Sequence, residues 1–162
     1  MFQDKEGTIY LEQNLEAPYY QPLDPARPVD ADGWAETRRN RKRTEICRLK
    51  QSVTITENKD GFRLRVQSNG TSDVPVAIEI NFGADGKLAG VEPAHKVHDG
   101  WLLGKGVGSY TEGNDVIRFG PGFAENAYTQ VRGAEPKMAG PSVYLTGFTP
   151  FDRTIEFDCS KA

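Results

Sequence analysis

Apolar and polar residues alternate with a period of two through the middle of the chain. Val53 and Ile55 are separated by a threonine, and after the turn-forming sequence Asn-Lys-Asp-Gly the residues Phe62, Leu64 and Val66 alternate with arginines. A period of two is typical of a half-buried β-strand, because successive side chains point to opposite faces. The pattern therefore predicts a β-hairpin.

The clearest single strand lies between residues 74 and 82. Val, Val, Ile, Ile and Phe occupy every second position there, with Ala77, Glu79 and Asn81 between them. Glycine or proline separates most of the other short apolar stretches, which indicates turns between further strands. These stretches are 8–11, 101–103, 116–119, 128–132, 143–146 and 154–157.

About eight to ten short strands, joined by turns and not alternating with helices, predict an all-β fold. We expect an antiparallel β-sandwich with a jelly-roll-like arrangement. The 17 glycines and 10 prolines argue against long helices. A helix over 35–50 is one alternative, but Ile46 and Leu49 do not form a helical apolar stripe. A strand over 44–49 fits the sequence equally well.

The first 43 residues differ in composition from the rest of the chain. Four prolines lie between positions 18 and 28, which favours an extended, polyproline-like arm over 17–33. Five of the six residues from Arg38 to Arg43 are basic. We therefore predict two parts. Residues 1–43 hold an N-terminal strand, the proline-rich arm and the basic segment, and residues 44–162 form the sandwich domain.

Charge and hydropathy limit the partners that we expect. The net charge of -3 over 162 residues argues against nucleic acid, so the basic segment is interpreted as solvated or as a contact for an acidic partner domain or sugar chain. No run approaches the ~18 apolar residues of a membrane span, and we expect no membrane partner. The N-terminus lacks an apolar signal segment. The location therefore stays open, and is periplasmic or extracellular if the chain is part of a longer exported enzyme.

Residue types that bind metals or phosphates are few. Cys47 and Cys159 are predicted to be buried thiols, with a single disulfide as the alternative. His95 and His98 lie three positions apart in a loop-like stretch, and this spacing alone does not define a metal site. The glycine-rich run 104–109 lacks the pattern of a phosphate-binding loop, so we interpret it as a packing feature. We predict no metal and no cofactor.

The predicted strand 128–132 is the strongest candidate for ligand binding. Its alternation places Tyr128, Gln130 and Arg132 on one face, so that an aromatic ring, an amide and a guanidinium lie in a row. Such groups bind sugars by stacking and by paired hydrogen bonds. The alternative is that they only cover an exposed sheet face. Further candidates for the same cleft are His98, Trp101, Tyr110, Glu125 and Asn126.

Four stretches carry a resemblance to a known class of domain. They are VPVAIEI at 74–80, FGPG at 119–122, YTQVRG at 128–133 and SVYLTGF at 142–148. From about Thr44 to Asp158 the chain resembles the C-terminal β-sandwich domains of bacterial polysaccharide-degrading enzymes, including the heparinase-like lyases. The resemblance implies a domain that braces an adjoining catalytic domain, toward which the proline-rich arm and the basic segment would face.

The leading functional hypothesis is a noncatalytic accessory domain of a carbohydrate-active enzyme. It would brace the adjoining catalytic domain, bind a polysaccharide or oligosaccharide, or do both. One alternative is a small self-sufficient polysaccharide lyase acting on a uronate-containing glycan. In that enzyme Arg132 would neutralise the acid, and His98 and Tyr128 would supply the base and the proton donor. The other alternative is a protein-interaction module without affinity for sugar.

Overall fold

The computed structural model describes residues 2–5, 7–24, 26, 33, 37–94, 100–127 and 139–161. The regular structure of these residues consists of β-strands and a short 3₁₀ helix, Arg38–Asn40. The strands, in chain order, are β1 (Phe2–Lys5), β2 (Thr8–Tyr20), β3 (Arg43–Asn58), β4 (Gly61–Gly70), β5 (Pro75–Asn81), β6 (Lys87–Ala89), β7 (Glu92–Pro93), β8 (Gly100–Leu102), β9 (Gly108–Glu112), β10 (Asp115–Gly120), β11 (Ser142–Phe148) and β12 (Phe151–Lys161).

The strands form two sheets. A large sheet of eight strands has the order β1-β2-β3-β4-β12-β10-β9-β6, and a small sheet of four has the order β5-β11-β8-β7. All pairings are antiparallel except that of β11 with β8, which is parallel. The predicted all-β, sandwich-like fold is confirmed.

The predicted hairpin forms between β3 and β4. Asn58 pairs with Gly61 across the turn, and the side chain of Asn58 accepts a hydrogen bond from the Asp60 amide at 3.1 Å. This is the local hydrogen bond by which asparagine favours turns. The chain over 44–49 belongs to β3, so the strand alternative was correct there and the helix over 35–50 is wrong.

The core lies between the two sheets and is rich in phenylalanine. The rings of Phe62 and Phe157 stack with centroids 4.5 Å apart, and Phe82 contacts Phe119 at 5.0 Å. Phe119 is fully buried. Aromatic pairs in this distance range add to the stability gained by removing apolar area from water.

Glycine 108 allows the close packing around one of these rings. A Cβ atom at Gly108 would lie 2.7 Å from the Phe119 ring, which is closer than carbon atoms can approach. This supports the packing interpretation of the glycine-rich run at one of its positions. Gly106 in the same run has φ of +72°, a conformation that glycine adopts without strain.

Both cysteine thiols are free, and neither is fully buried. Cys47 is half-buried on β3, and Cys159 is exposed near the end of β12. The prediction of two buried thiols was therefore wrong. The reason is positional, since Cys47 pairs with Ala17 on a part of β3 that extends beyond its pairing with β4.

The N-terminal strand is longer than the predicted stretch 8–11. It continues through Tyr20, so residues 17–20 of the predicted proline-rich arm are paired with β3. Pro18 lies at an irregularity where the register shifts between Ala17 and Tyr19. Proline is tolerated at such positions because no ladder hydrogen bond depends on its missing N–H.

The outer face of the large sheet is polar and its charges are paired across strands. Arg65 binds the carboxylate of Asp152 through two hydrogen bonds, at 2.9 Å and 2.6 Å. Lys50 pairs with Glu12 at 3.0 Å. Arg63 pairs with Glu156 and Arg48 with Glu16 in the same way. This face is therefore neutralised locally.

Candidate functional site

Four of the residues predicted for a glycan or catalytic site fall outside the described residues. These are His98, Tyr128, Gln130 and Arg132. Their roles remain predictions. The structure describes the other candidates, Trp101, Tyr110, Glu125 and Asn126.

Tyr110 is part of the hydrophobic core. It is 5% exposed and its ring stacks on Phe82 with centroids 4.8 Å apart. The hydroxyl donates to the Glu112 carboxylate at 2.6 Å and lies 3.0 Å from the carbonyl oxygen of Gly83. The hydrogen bond to Glu112, together with burial, raises the pKa of Tyr110. The ring is thus committed to packing and does not present a face to a ligand.

Glu125 and Asn126 are held by neighbouring protein groups. The Glu125 carboxylate accepts a hydrogen bond from Arg153 at 2.6 Å, and that guanidinium lies 5.5 Å from the centre of the Phe123 ring. The amide nitrogen of the Asn126 side chain donates to the carbonyl of Gly147 at 2.9 Å. The Glu125 side chain thus ties the chain before β11 to β12 of the large sheet, and the Asn126 side chain ties it to β11 of the small sheet.

Trp101 lies on β8 in the small sheet and packs, half-buried, against the core cluster. Tyr110 lies on β9 in the large sheet, and Glu125 lies between β10 and β11. The described candidates are therefore spread over different elements and have separate structural partners.

The basic segment lies next to the end of β2. The Arg38 guanidinium is 5.2 Å from the centre of the Tyr20 ring, and its hydrogen bond with the hydroxyl is the largest effect lowering the pKa of Tyr20. Arg41 is buried and donates to the Thr37 hydroxyl through Nε and Nη2. Part of the segment is thus structural, which the interpretation as a solvated run did not anticipate.

An apolar groove is the feature that sequence analysis missed. It has a volume of about 480 Å³ and lies between the edge of the small sheet at β5 and the inner face of β2, β3 and β4. Polar side chains contribute little of its wall. Its aliphatic lining consists of Leu11, Val53, Leu64, Val66, Val76 and Ile78.

The groove exists because the large sheet is wider than the small one. The small sheet has four strands and the large sheet eight. The small sheet ends at its edge strand β5 and covers the large sheet only up to there. Beyond it the inner face of β2 and β3 is only partly covered, and Leu11 and Leu15 are 41% and 42% exposed. A second hollow of about 290 Å³, bordered by Ile9 and Ile55, continues along the same two strands. We call this part of the inner face of β2 and β3, which includes Ile9, Leu11, Leu15, Val53 and Ile55, the overhang.

Glu12 is the charged residue among the described residues that border the groove, but the alternation of β2 places its side chain on the outer face of the sheet, where the carboxylate is already engaged. It accepts hydrogen bonds from the Tyr10 hydroxyl at 2.6 Å and from Lys50 at 3.0 Å. The bond with Tyr10 is the largest effect lowering the pKa of Glu12. The groove therefore offers aliphatic surface and backbone groups to an occupant, and little net charge.

The described residues contain no group of three or more histidine, cysteine, aspartate or glutamate side chains placed to hold a metal ion. In the same part of the chain, no helix is long and apolar enough to cross a membrane. No family model matches the chain, and neither the curated proteins nor the solved structures contain a significant match to it.

Proposed function

We propose that this chain is a noncatalytic β-sandwich accessory domain of a carbohydrate-active enzyme. Its role is to brace an adjoining catalytic domain, and the overhang with its groove is the bracing surface. The observation that carries the proposal is the uncovered aliphatic face of β2 and β3, which a protein partner can cover and the small sheet does not.

The chemistry of the groove favours a protein contact. Interfaces between proteins have an apolar centre that loses water on association. Sugar-binding clefts instead present aromatic faces and several directed hydrogen-bonding groups. Among the described residues, the groove is bordered by aliphatic side chains, by Gln13, Gln51 and Glu12, and by no aromatic ring. It therefore suits a neighbouring domain better than it suits a polysaccharide.

The class of the neighbouring domain comes from the resemblance of residues 44–158 to the sandwich domains of polysaccharide-degrading enzymes. In that arrangement the sandwich is a support, which agrees with a surface built for packing. The structure also places the candidate residue Tyr110 in the core. Its hydroxyl donates a hydrogen bond to Glu112.

A turnover assay of the purified full chain tests the noncatalytic part of the proposal. Uronate-containing and neutral polysaccharides are incubated with the chain, and the absorbance of unsaturated uronate and the release of reducing ends are recorded. We expect no product above the level of a buffer blank.

The variants His98→Ala and Tyr128→Phe provide the control for this assay. Product formation by the wild-type chain that both variants abolish would contradict the proposal and identify the chain as a small lyase. Silence of the wild type and of both variants agrees with an accessory role.

A further inference from the structure

None of the described strands pairs with the outer edge of β5, and the backbone groups on that edge are in position to pair with another strand. The register between β5 and β11 runs from Val74 opposite Thr149 to Phe82 opposite Pro141, and backbone hydrogen bonds are present at both ends. Hydrogen-bonded pairs alternate along an antiparallel ladder. Val76, Ile78 and Ile80 therefore bond to β11. The intervening Ala77, Glu79 and Asn81 direct their N–H and C=O groups away from it.

This edge differs from the other edges of the two sheets. The edge strands β1, β6 and β7 are four, three and two residues long, whereas β5 has seven. Short edge strands, charged side chains and prolines discourage the pairing of a foreign strand. The part of β2 beyond β1 is long, but it carries Glu12, Glu16 and Pro18. Among the described strands, β5 is the long edge strand whose proline, Pro75, lies at its first position and whose one charged residue is Glu79.

The floor next to this edge is suited to the side chains of an added strand. A strand paired with β5 would lie about 4.7–4.9 Å from it and above β3, at the usual ~10 Å spacing between packed sheets. Every second side chain of that strand would then point onto Leu11, Val53 and Val66 in the groove. The added strand would bury apolar surface on one face and complete the backbone hydrogen bonds of β5.

A second copy of this chain cannot pair antiparallel with β5. That pairing would follow a two-fold axis perpendicular to the sheets. Both small sheets would then lie in one layer and both large sheets in the other, so that the overhangs of the two copies would occupy the same space. A single extended segment meets no such overlap.

We propose that the groove receives one β-strand from the adjoining domain, which pairs with the free edge of β5 and lays alternate apolar side chains on Leu11, Val53 and Val66. This inference rests on the proposed function, since it names how the braced domain is held. Backbone hydrogen bonds supply affinity in this mode, and the alternation of side chains supplies specificity.

The test uses a displayed library of random twelve-residue peptides, selected on the purified full chain. We expect the enriched peptides to alternate apolar and polar residues. In amide hydrogen exchange, a selected peptide should protect the amides of Ala77, Glu79 and Asn81. Enrichment of peptides without alternation, failure to enrich any sequence, or binding without this protection would each overturn the proposal.

The substitution Ala77→Pro separates strand pairing from simple apolar binding. It removes an N–H that points to the free edge, so the bonds between β5 and β11 are kept. We expect it to weaken binding of a selected peptide at least about tenfold, equal to ~1.4 kcal/mol. Ala77→Ser keeps the N–H and should bind within about twofold of the wild type. Equal binding by both variants would overturn the proposal.

A further variant on the groove floor uses the two faces of one strand. Val53→Asp places a charge in the groove, whereas Thr54→Asp places the same charge on the opposite face of β3. Peptide binding should be lost only in Val53→Asp, and circular dichroism confirms that both variants are folded. Self-association in sedimentation that Ala77→Pro abolishes would identify a second copy as the occupant and overturn the proposal.

The failure of this inference can be told from the failure of the proposed function. If no peptide pairs with β5 while the chain still crosslinks to a catalytic domain, the strand mode is wrong and the accessory role stands. Polysaccharide turnover by the isolated chain would remove the accessory role whatever the peptides do.

Discussion

Burial of individual side chains follows the alternation of the sequence only in part. In β5, Val76 is buried, whereas Ala77, Ile78, Glu79 and Ile80 are all half-buried, because the strand lies at the edge of the small sheet. The roles of single polar residues were harder to predict. Tyrosine is a common residue type in binding sites, but the ring of Tyr110 packs on Phe82 because the fold brings β9 next to the core.

The contact between Gly108 and Phe119 leads to a stability prediction. Gly108→Ala should destabilise the fold by about 1–3 kcal/mol, because the added methyl group overlaps the ring and the core must shift. Gly104→Ala is the matched control, since its Cβ would lie 4.0 Å from that of Ala124. The control should change the free energy of unfolding by less than about 0.5 kcal/mol. Urea denaturation measures both values, and equal effects would contradict the packing role.

The pair of Arg65 and Asp152 leads to a prediction about pH. The hydrogen bond from Arg65 lowers the pKa of Asp152 in the folded state. The ion pair therefore contributes to stability fully above the pKa of Asp152 in the unfolded chain, ~4. The contribution is lost as the pH falls through the lower pKa of Asp152 in the folded state. The effect is modest, since both side chains are 49% exposed.

Asp152→Asn should reduce the decrease in the free energy of unfolding between about pH 5 and about pH 2. This is the range in which an aspartate with a lowered pKa titrates. Arg65→Ala should reduce the decrease in the same way, because it removes the partner that lowers the pKa. Thermal unfolding at a series of pH values measures both slopes. A slope in either variant as steep as in the wild type would show that other groups dominate.

At the scale of elements, the sequence predicts the strands that are flanked by clear turns. It does not predict the strands whose length depends on pairing with a distant strand. The hairpin of β3 and β4 follows from local alternation and from the turn at Asn58. The length of β2 does not, because Pro18 and the prolines that follow it locally disfavour a strand. Pairing with β3 through Tyr20 overrides that preference. The same long-range pairing turns 44–49 into strand rather than helix.

The pairing of β2 with β3 predicts how the two parts of the chain depend on each other. Residues 44–162 expressed alone lack the half-buried Ile9 and the contacts of Leu11 with Val53. We expect a melting temperature about 5–10 °C below that of the full chain, from ~2–3 kcal/mol of lost burial. Thermal unfolding by circular dichroism measures it. An unchanged melting temperature would mean that 44–162 is stable without the first part.

At the scale of the whole molecule, the candidate surface depends on sheet order and sheet width. The sequence places every apolar residue of the groove in a predicted strand. Nothing in the local pattern indicates that the small sheet stops at β5 while the large sheet continues through β3 and β2. The overhang is therefore visible only in the assembled fold, whereas the all-β class follows from composition and alternation.

The overhang also explains why apolar side chains are exposed on one face of β2. Leu11 and Leu15 lie on that face, opposite Val53 and Leu49 of β3. Exposed apolar surface of this kind is costly in an isolated domain and is typical of an interaction site. An adjoining domain that covers it would stabilise the chain and bury the groove.

Photocrosslinking tests the bracing role most directly. The photoreactive residue p-benzoylphenylalanine replaces Leu11 on the groove floor, or Tyr10 on the opposite face of β2 as a matched control, in the protein expressed in its native host. The crosslinked peptide is then sequenced by mass spectrometry. We predict that position 11 crosslinks to a segment of a catalytic domain that acts on polysaccharide, and that position 10 does not. Crosslinking from position 10 alone, or from position 11 only to another copy of this chain, would contradict the account.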